Sequence, residues 1–144
     1  GGPQKNLHDR QGVGQKMIFG RGMKNKIVGS CGEDAACEYL KAHGCEIVER
    51  NMRTRCGESD IIARDGGCLV FVEVKTRGSD SFGTPAEAVT YYKRRNIIRA
   101  AELYLMKNPT DSDIRFDVVE VYGRSVDGGF WLENVNRIVG AFEV

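Results

Sequence analysis

Gly57-Glu58-Ser59-Asp60-Ile61-Ile62-Ala63-Arg64-Asp65-Gly66-Gly67-Cys68-Leu69-Val70-Phe71-Val72-Glu73-Val74-Lys75-Thr76-Arg77 is the stretch whose reading decides the fold. Two β-rich runs meet at Asp65-Gly66-Gly67. Both residues of a two-residue hairpin turn must accept positive φ, which Asp-Gly and Gly-Gly pairs do. With Asp65-Gly66 as the loop, Arg64 faces Gly67 and Asp60 faces Phe71. With Gly66-Gly67 as the loop, Asp65 faces Cys68 and Asp60 sits opposite Glu73. Both registers place Asp60 and Glu73 on one face of the hairpin.

The side-chain period of a strand is two, so Val70, Val72 and Val74 point one way and Leu69, Phe71, Glu73 and Lys75 the other. The valine face belongs to a core. On the other face an apolar run ends in Glu73 and Lys75, joined from the neighbouring strand by Asp60 and Glu58. Like charges on adjacent strands destabilise a sheet by up to about 1 kcal/mol per pair, so clustered carboxylates call for a compensating cation. A divalent metal is one answer, and a solvated, salt-bridging strand edge is the other. An Asp after a Gly-led turn, a short hairpin and Glu-x-Lys on a hydrophobic strand together resemble the PD-(D/E)xK nuclease core. On that resemblance Asp60 is the first acid, Glu73 the second and Lys75 the lysine.

At 144 residues, 41% hydrophobic and 28% charged, the chain is long enough to bury a sheet under helices as one domain. The net charge is only +1, so any nucleic-acid footprint must be local. Cys31, Cys37, Cys45, Cys56 and Cys68 are odd in number and contain no Cys-x-x-Cys pair. That argues against a zinc knuckle and a complete disulfide framework, and makes reduced thiols and a cytoplasmic location the expectation. No apolar run reaches membrane-spanning length, and no signal peptide is visible.

Residues 1–29 differ from the rest, being Gly-rich with Lys5, Arg10, Lys16, Arg21, Lys24 and Lys26 against the single acid Asp9. With no apolar periodicity, this stretch is expected to be a vector-derived or upstream extension, with Met23 as a native start; a basic arm touching phosphates is the alternative. The nuclease-like domain is then 30–144. Ser30-Cys31-Gly32-Glu33 fits a capping box, which makes Glu33 a helix cap on local grounds. Ala35, Ala36, Tyr39, Leu40 and His43 follow at helical spacing, and Gly44 suits the helix end.

Cys45 to Glu49 reads as a short strand, and Arg50 to Arg55 as a polar connector whose arginines are either solvated or near enough to the acids to hold phosphates. Thr84-Pro85-Ala86-Glu87 predicts a second helix start, running to Met106 or Lys107 before Asn108-Pro109 and burying Ala88, Tyr92, Ile98, Ala101 and Leu105. Its exposed side carries Lys93, Arg94, Arg95 and Arg99. Ile114 to Tyr122 and Phe130 to Val135 read as further strands about a turn at Asp127-Gly128-Gly129, with an apolar patch at 138–142. The order of elements argues an α/β architecture, a mixed central sheet of about five strands flanked by helices.

Across the chain, Gly32-Glu33 with Ala36 and Leu40, Asn51-x-Arg53, Gly57-Glu58-x-Asp60-x-Ile62-Ala63, Phe71 to Arg77, Gly83-x-Pro85, Lys93, Arg115 to Val119 and Ala141-Phe142 together resemble the YraN family of bacterial proteins. The match covers about residues 27–142; Ser59 departs from it, standing where that family usually has an apolar residue. The family is similar in fold to archaeal Holliday-junction resolvases within the restriction-endonuclease-like group. The resemblance implies a Mg2+ (or Mn2+) site at Asp60 and Glu73, a catalytic Lys75 and a further acid at Glu33. Glu58 is a second candidate for that extra acid, since it shares the face of Asp60. A DNA endonuclease acting on linear or branched DNA would use Arg53, Arg77, Lys93, Arg94, Arg95 and Arg99 as phosphate contacts. A four-way junction would favour a homodimer. The rival readings are a non-catalytic nucleic-acid-binding module of the same fold, and an adaptor that uses its apolar surfaces for a protein partner.

Overall fold

A computed structural model describes residues 15–18, 24–78 and 89–144. Along them the chain forms β1 (Gln15–Ile18), α1 (Lys24–Ala42), β2 (Glu46–Arg53), β3 (Glu58–Asp65), β4 (Cys68–Gly78), α2 (Tyr91–Lys107), β5 (Asp113–Val126) and β6 (Gly129–Phe142). The strands make one mixed sheet in the order β1-β6-β5-β4-β3-β2. β4 and β5 run parallel and the other neighbours antiparallel. A parallel pair needs a crossover connection, and α2 lies within it. The five strands β2 to β6 with α1 and α2 have the α/β arrangement expected of a restriction-endonuclease-like fold, and β1 adds a short sixth strand at the edge.

The hairpin adopts the Gly66-Gly67 register: Asp65 pairs with Cys68, Arg64 with Leu69 and Ile61 with Val72. Gly66 takes φ +58°, the left-handed value that the turn demands. β4 is buried on both faces, which is why it reads as a nearly unbroken hydrophobic run. Val70 and Val72 join Ala36, Tyr39 and Leu40 of α1 in one core. Leu69 and Phe71 join Ile97, Ile98 and Ala101 of α2 in the other. Phe71 packs against Phe116 and edge-on to Tyr104, both at 5.8 Å between ring centres, and Phe116 stacks on Phe142 at 5.1 Å. The helices therefore clamp the strand that carries Glu73 and Lys75.

Several boundaries fall elsewhere than the local signals placed them. α1 begins at Lys24, so Ser30 to Glu33 lies inside the helix and no capping box forms there. β1, paired residue for residue with Gly129–Leu132 of β6, falls within the stretch 1–29 that offered no apolar periodicity. β2 continues through Arg53, turning most of the supposed connector into an edge strand whose side chains are largely exposed apart from Met52. The Thr84-Pro85 helix start and Ala88 lie outside the described residues. Among those described, α2 is capped by Thr90, whose hydroxyl accepts a hydrogen bond from Lys93 N at 3.1 Å. Tyr92 is 76% exposed rather than buried, whereas Ile98 and Ala101 are buried as the spacing required. β6 is continuous through the patch at 138–142. The five cysteines are free thiols, and among the described residues no helix is long and apolar enough to cross a membrane.

Candidate active site

Continuing the hairpin ladder one step beyond Ile61 and Val72 brings Asp60 opposite Glu73. Asp60 Oδ2 accepts a hydrogen bond from Val74 N at 2.8 Å, which fixes its carboxyl across the strand. Glu73 is only 6% exposed. Its Oε1 lies 3.4 Å from Lys93 Nζ, which reaches over from α2. Its Oε2 is buried and meets no donor among the described residues. A buried carboxylate oxygen without a partner carries a desolvation penalty of about 1–3 kcal/mol or more. A proton shared with Asp60, or a cation, would satisfy it.

The electrostatics record this crowding. Burial, followed by the charge of Asp60, pushes the Glu73 pKa up to about 7, while Lys93 and Lys75 act in the opposite direction. Asp60 is raised as well, chiefly by burial, with the Val74 amide, Lys93 and a hydrogen bond to Glu73 opposing and Glu58 adding to the rise. Glu33 is raised by burial and then by Asp60, with Arg50 and a hydrogen bond from Asn51 opposing. Glu33 on α1 and Glu73 on β4 thus both feel the charge of Asp60 on β3. Such mutual displacement of pKa values is common at functional sites, where burial and like charges are concentrated.

Glu33 reaches this position through close helix–strand packing. A Cβ at Gly32 would collide with Thr76 Oγ1, so the bare glycine lets α1 lie this near β4 with Thr76 as it stands. Glu33 is held from the other side by Arg50, whose guanidinium is 3.7 Å from Glu33 and 2.8 Å from Asp34. Asn51, with φ +54°, is a non-glycine residue in the left-handed region, and its side chain bonds Glu33. Asn tolerates that region better than most residues, at a cost of order 1–3 kcal/mol when the surroundings enforce it. Sequence reading offered Arg50 near the acids as one of two alternatives, but it did not single out Asn51 as a partner of Glu33. An Asn amid polar residues on an edge strand was the available signal, and it is a weak one.

The remaining candidates divide. Lys75 shares the face of Glu73 and bears on it electrostatically. Glu58 is exposed and pairs with Arg53 at 3.6 Å, at the rim rather than inside the acid cluster. Arg77 is occupied inward: its Nε is 3.0 Å from Glu120, which is 1% exposed and also accepts from Asn136. Lys93 is turned onto Glu73, and Arg94 has a buried Nε. Arg99 is exposed on α2 and Arg95 half-buried. Beside the acids an open cleft of about 430 Å³ lies between the Thr54–Gly57 turn and α2. As the side chains are placed, no group of three or more His, Cys, Asp or Glu among the described residues is gathered closely enough to grip an ion. The observation that fits a cation is the buried, unpartnered oxygen of Glu73 beside Asp60.

At the other end of the sheet a second ionic cluster is closed on itself. Asp117, fully buried, accepts from Arg115, Arg137 and the Gly140 amide, and both arginines also reach Asp65. Every charge there is matched, so it ties β5 and β6 to the hairpin and leaves nothing to offer a ligand.

A mixed α/β sheet with paired acids and a lysine on its central hairpin defines the structural class. Within that class, the model of "Uncharacterised protein family UPF0102" matches residues 32–121. A UPF0102 protein of Symbiobacterium thermophilum is 56% identical over 98 residues, covering 67% of this chain and 83% of its own. A UPF0102 protein of Caldicellulosiruptor saccharolyticus is 48% identical over 101 residues, covering 69% and 86%. One of Clostridium botulinum is 42% identical over 122 residues, covering 83% and 97%. The chain belongs to the UPF0102 family.

Proposed function

We propose that this protein is a metal-dependent endonuclease of the PD-(D/E)xK type, hydrolysing phosphodiester bonds of DNA, with branched DNA such as Holliday junctions among its substrates. The observation that carries this reading is the buried Glu73, with an unsatisfied oxygen, beside the half-buried Asp60, with Lys75 on the same face. Asp60 and Glu73 would hold Mg2+ or Mn2+, both of which favour oxygen ligands, with Glu33 as the further acid. When bound, the ion would supply charge for the scissile phosphate and lower the pKa of a water.

The protein's own groups supply the rest. The Val74 amide fixes Asp60. Lys75 would orient the attacking water or stabilise the charge that develops on the phosphate. Lys93, released from Glu73 once another cation neutralises it, would be free to meet a phosphate oxygen. The α1 and α2 cores on either face of β4 keep these groups from shifting as charge builds up.

Cleavage of a panel of linear, nicked, flapped and four-way DNAs with magnesium, with manganese and with chelator tests the proposal. Asp60→Asn and Lys75→Ala should lower cleavage by orders of magnitude with the fold intact. Wild-type protein that cuts nothing with either metal, or Asp60→Asn that cuts as fast as wild type, refutes it. A second reading, a binding module without chemistry, draws on the ion pair by which Lys93 already neutralises Glu73. Salt-dependent DNA binding with no cleavage would single it out.

A further inference from the structure

The cleft beside the acids is lined by Arg53 and Arg55 from one wall and Lys93 and Asn96 from the other, with Glu58 as the acid among these side chains. Arg53 and Arg55 are exposed, and Arg53 is held sideways by Glu58 at 3.6 Å. With Arg53 paired to Glu58 and Lys93 to Glu73, the three cations still outnumber the two acids, and the cleft suits an anion.

Its shape is set by the backbone. Thr54 Oγ1 accepts from Cys56 N and Gly57 N, both at 3.1 Å, and donates to Gly57 O at 2.9 Å, while Thr54 N donates to Gly57 O at 2.8 Å. The turn is therefore internally satisfied and presents its arginines from a fixed base. A Cβ on Gly57 would lie 2.6 Å from Asn96 O, so the turn rests backbone to backbone on α2, and that contact fixes the width of the cleft. The cleft borders the acid pair through Lys93, which lines it and stands 3.4 Å from Glu73 Oε1.

We propose that this cleft is the strand-binding subsite of the protein, where Arg53, Arg55 and Lys93 hold the DNA backbone phosphate next to the one at the acids. This rests on the nuclease-type reading of Asp60 and Glu73. A strand passing from the acids across Lys93 reaches the cleft, and guanidinium groups make strong, bidentate contacts with phosphate. Arg77, committed to Glu120, and Arg99, out on the α2 face, take no part.

The test is fluorescence anisotropy of the full chain with a labelled four-way junction and with a labelled single strand, in chelator so that nothing is cut, across a salt series. Each phosphate contact removed lowers the slope of log K against log salt by about 0.9 on duplex and about 0.7 on single strands. Arg55→Ala should lower the slope by one such step and Arg53→Ala/Arg55→Ala by two, weakening binding alike on every sequence. Arg55→Lys should keep the slope, and Arg99→Ala should match wild type. Thermal unfolding of the same samples confirms that these exposed substitutions leave the fold in place. If wild type binds and the double variant keeps its affinity and slope, or Arg99→Ala loses as much as Arg55→Ala, the cleft assignment is overturned while the nuclease reading survives. If wild type binds neither DNA, the nuclease reading falls and the subsite with it.

Discussion

Replacing Glu73 by Gln should make the free protein more stable at alkaline pH while abolishing its proposed chemistry. The Glu73 pKa rises from 4.5 to about 7 on folding, mainly through burial and then through Asp60. Between those values the folded chain binds a proton that the unfolded chain does not, so stability falls as pH rises through the window and the full cost is present above about pH 7. At about 1.36 kcal/mol per unit, the penalty is of order 3 kcal/mol. Gln is nearly isosteric and uncharged, so Glu73→Gln removes this penalty, and Lys93, itself partly exposed, can return to water. At roughly 2–4 °C per kcal/mol for a domain near this size, the variant should melt about 6–12 °C higher than wild type at pH 8. Asp65, held low by Arg115, weakens both proteins alike as pH falls and cancels in the difference. The assay is thermal or urea unfolding of both proteins in chelator at pH 5, 6, 7 and 8. A variant no more stable than wild type at pH 8, or a difference equally large at pH 5, would refute the account of Glu73 as a desolvated acid.

Magnesium at one hundred times its dissociation constant should stabilise wild type by about 2.7 kcal/mol, read as a rise in melting temperature that Asp60→Asn abolishes; an equal rise in both proteins would mean the ion binds elsewhere. Arg77→Ala leaves Glu120 buried without the cation that pairs with it, so it should destabilise by about 3–5 kcal/mol in urea unfolding. A loss of DNA binding at unchanged stability would instead return Arg77 to the list of phosphate contacts. Gly32→Ala forces α1 away from Thr76 and should cost about 1–3 kcal/mol, most of it recovered in the double variant Gly32→Ala/Thr76→Ala, as a double-mutant cycle of melting curves would show.

The hairpin was legible because two independent signals agreed. The glycine pair limited the turn to two registers, and period-two alternation gave the same facing for Asp60 and Glu73 in both. What escaped was information carried by distant partners. Gln15 to Ile18 has no pattern of its own and becomes a strand because β6 supplies its hydrogen bonds. Asn136 and Arg137 look like a break in β6, yet they sit in an unbroken strand because Glu120 and Asp117 of β5 receive their side chains. The box at Ser30 to Glu33 was a sound local pattern lying in mid-helix, and with the helix running past it Glu33 is available to the acid cluster. Arg77 read as a surface cation since nothing local announces that Glu120, on the adjacent strand, is buried.

The pairing of β1 with β6 also has a consequence for how the molecule is made. Gln15 meets Leu132 and Ile18 meets Gly129, so β1 pairs across nearly the whole described chain and its contact is among the last to form. The β3–β4 hairpin can close within microseconds through its two-glycine turn, whereas the parallel β4–β5 contact must wait for α2 and the β1 contact for nearly the whole chain. By sequence separation alone, the hairpin that carries the acid pair is the most local of these contacts and the sheet edge beside β6 the most distant.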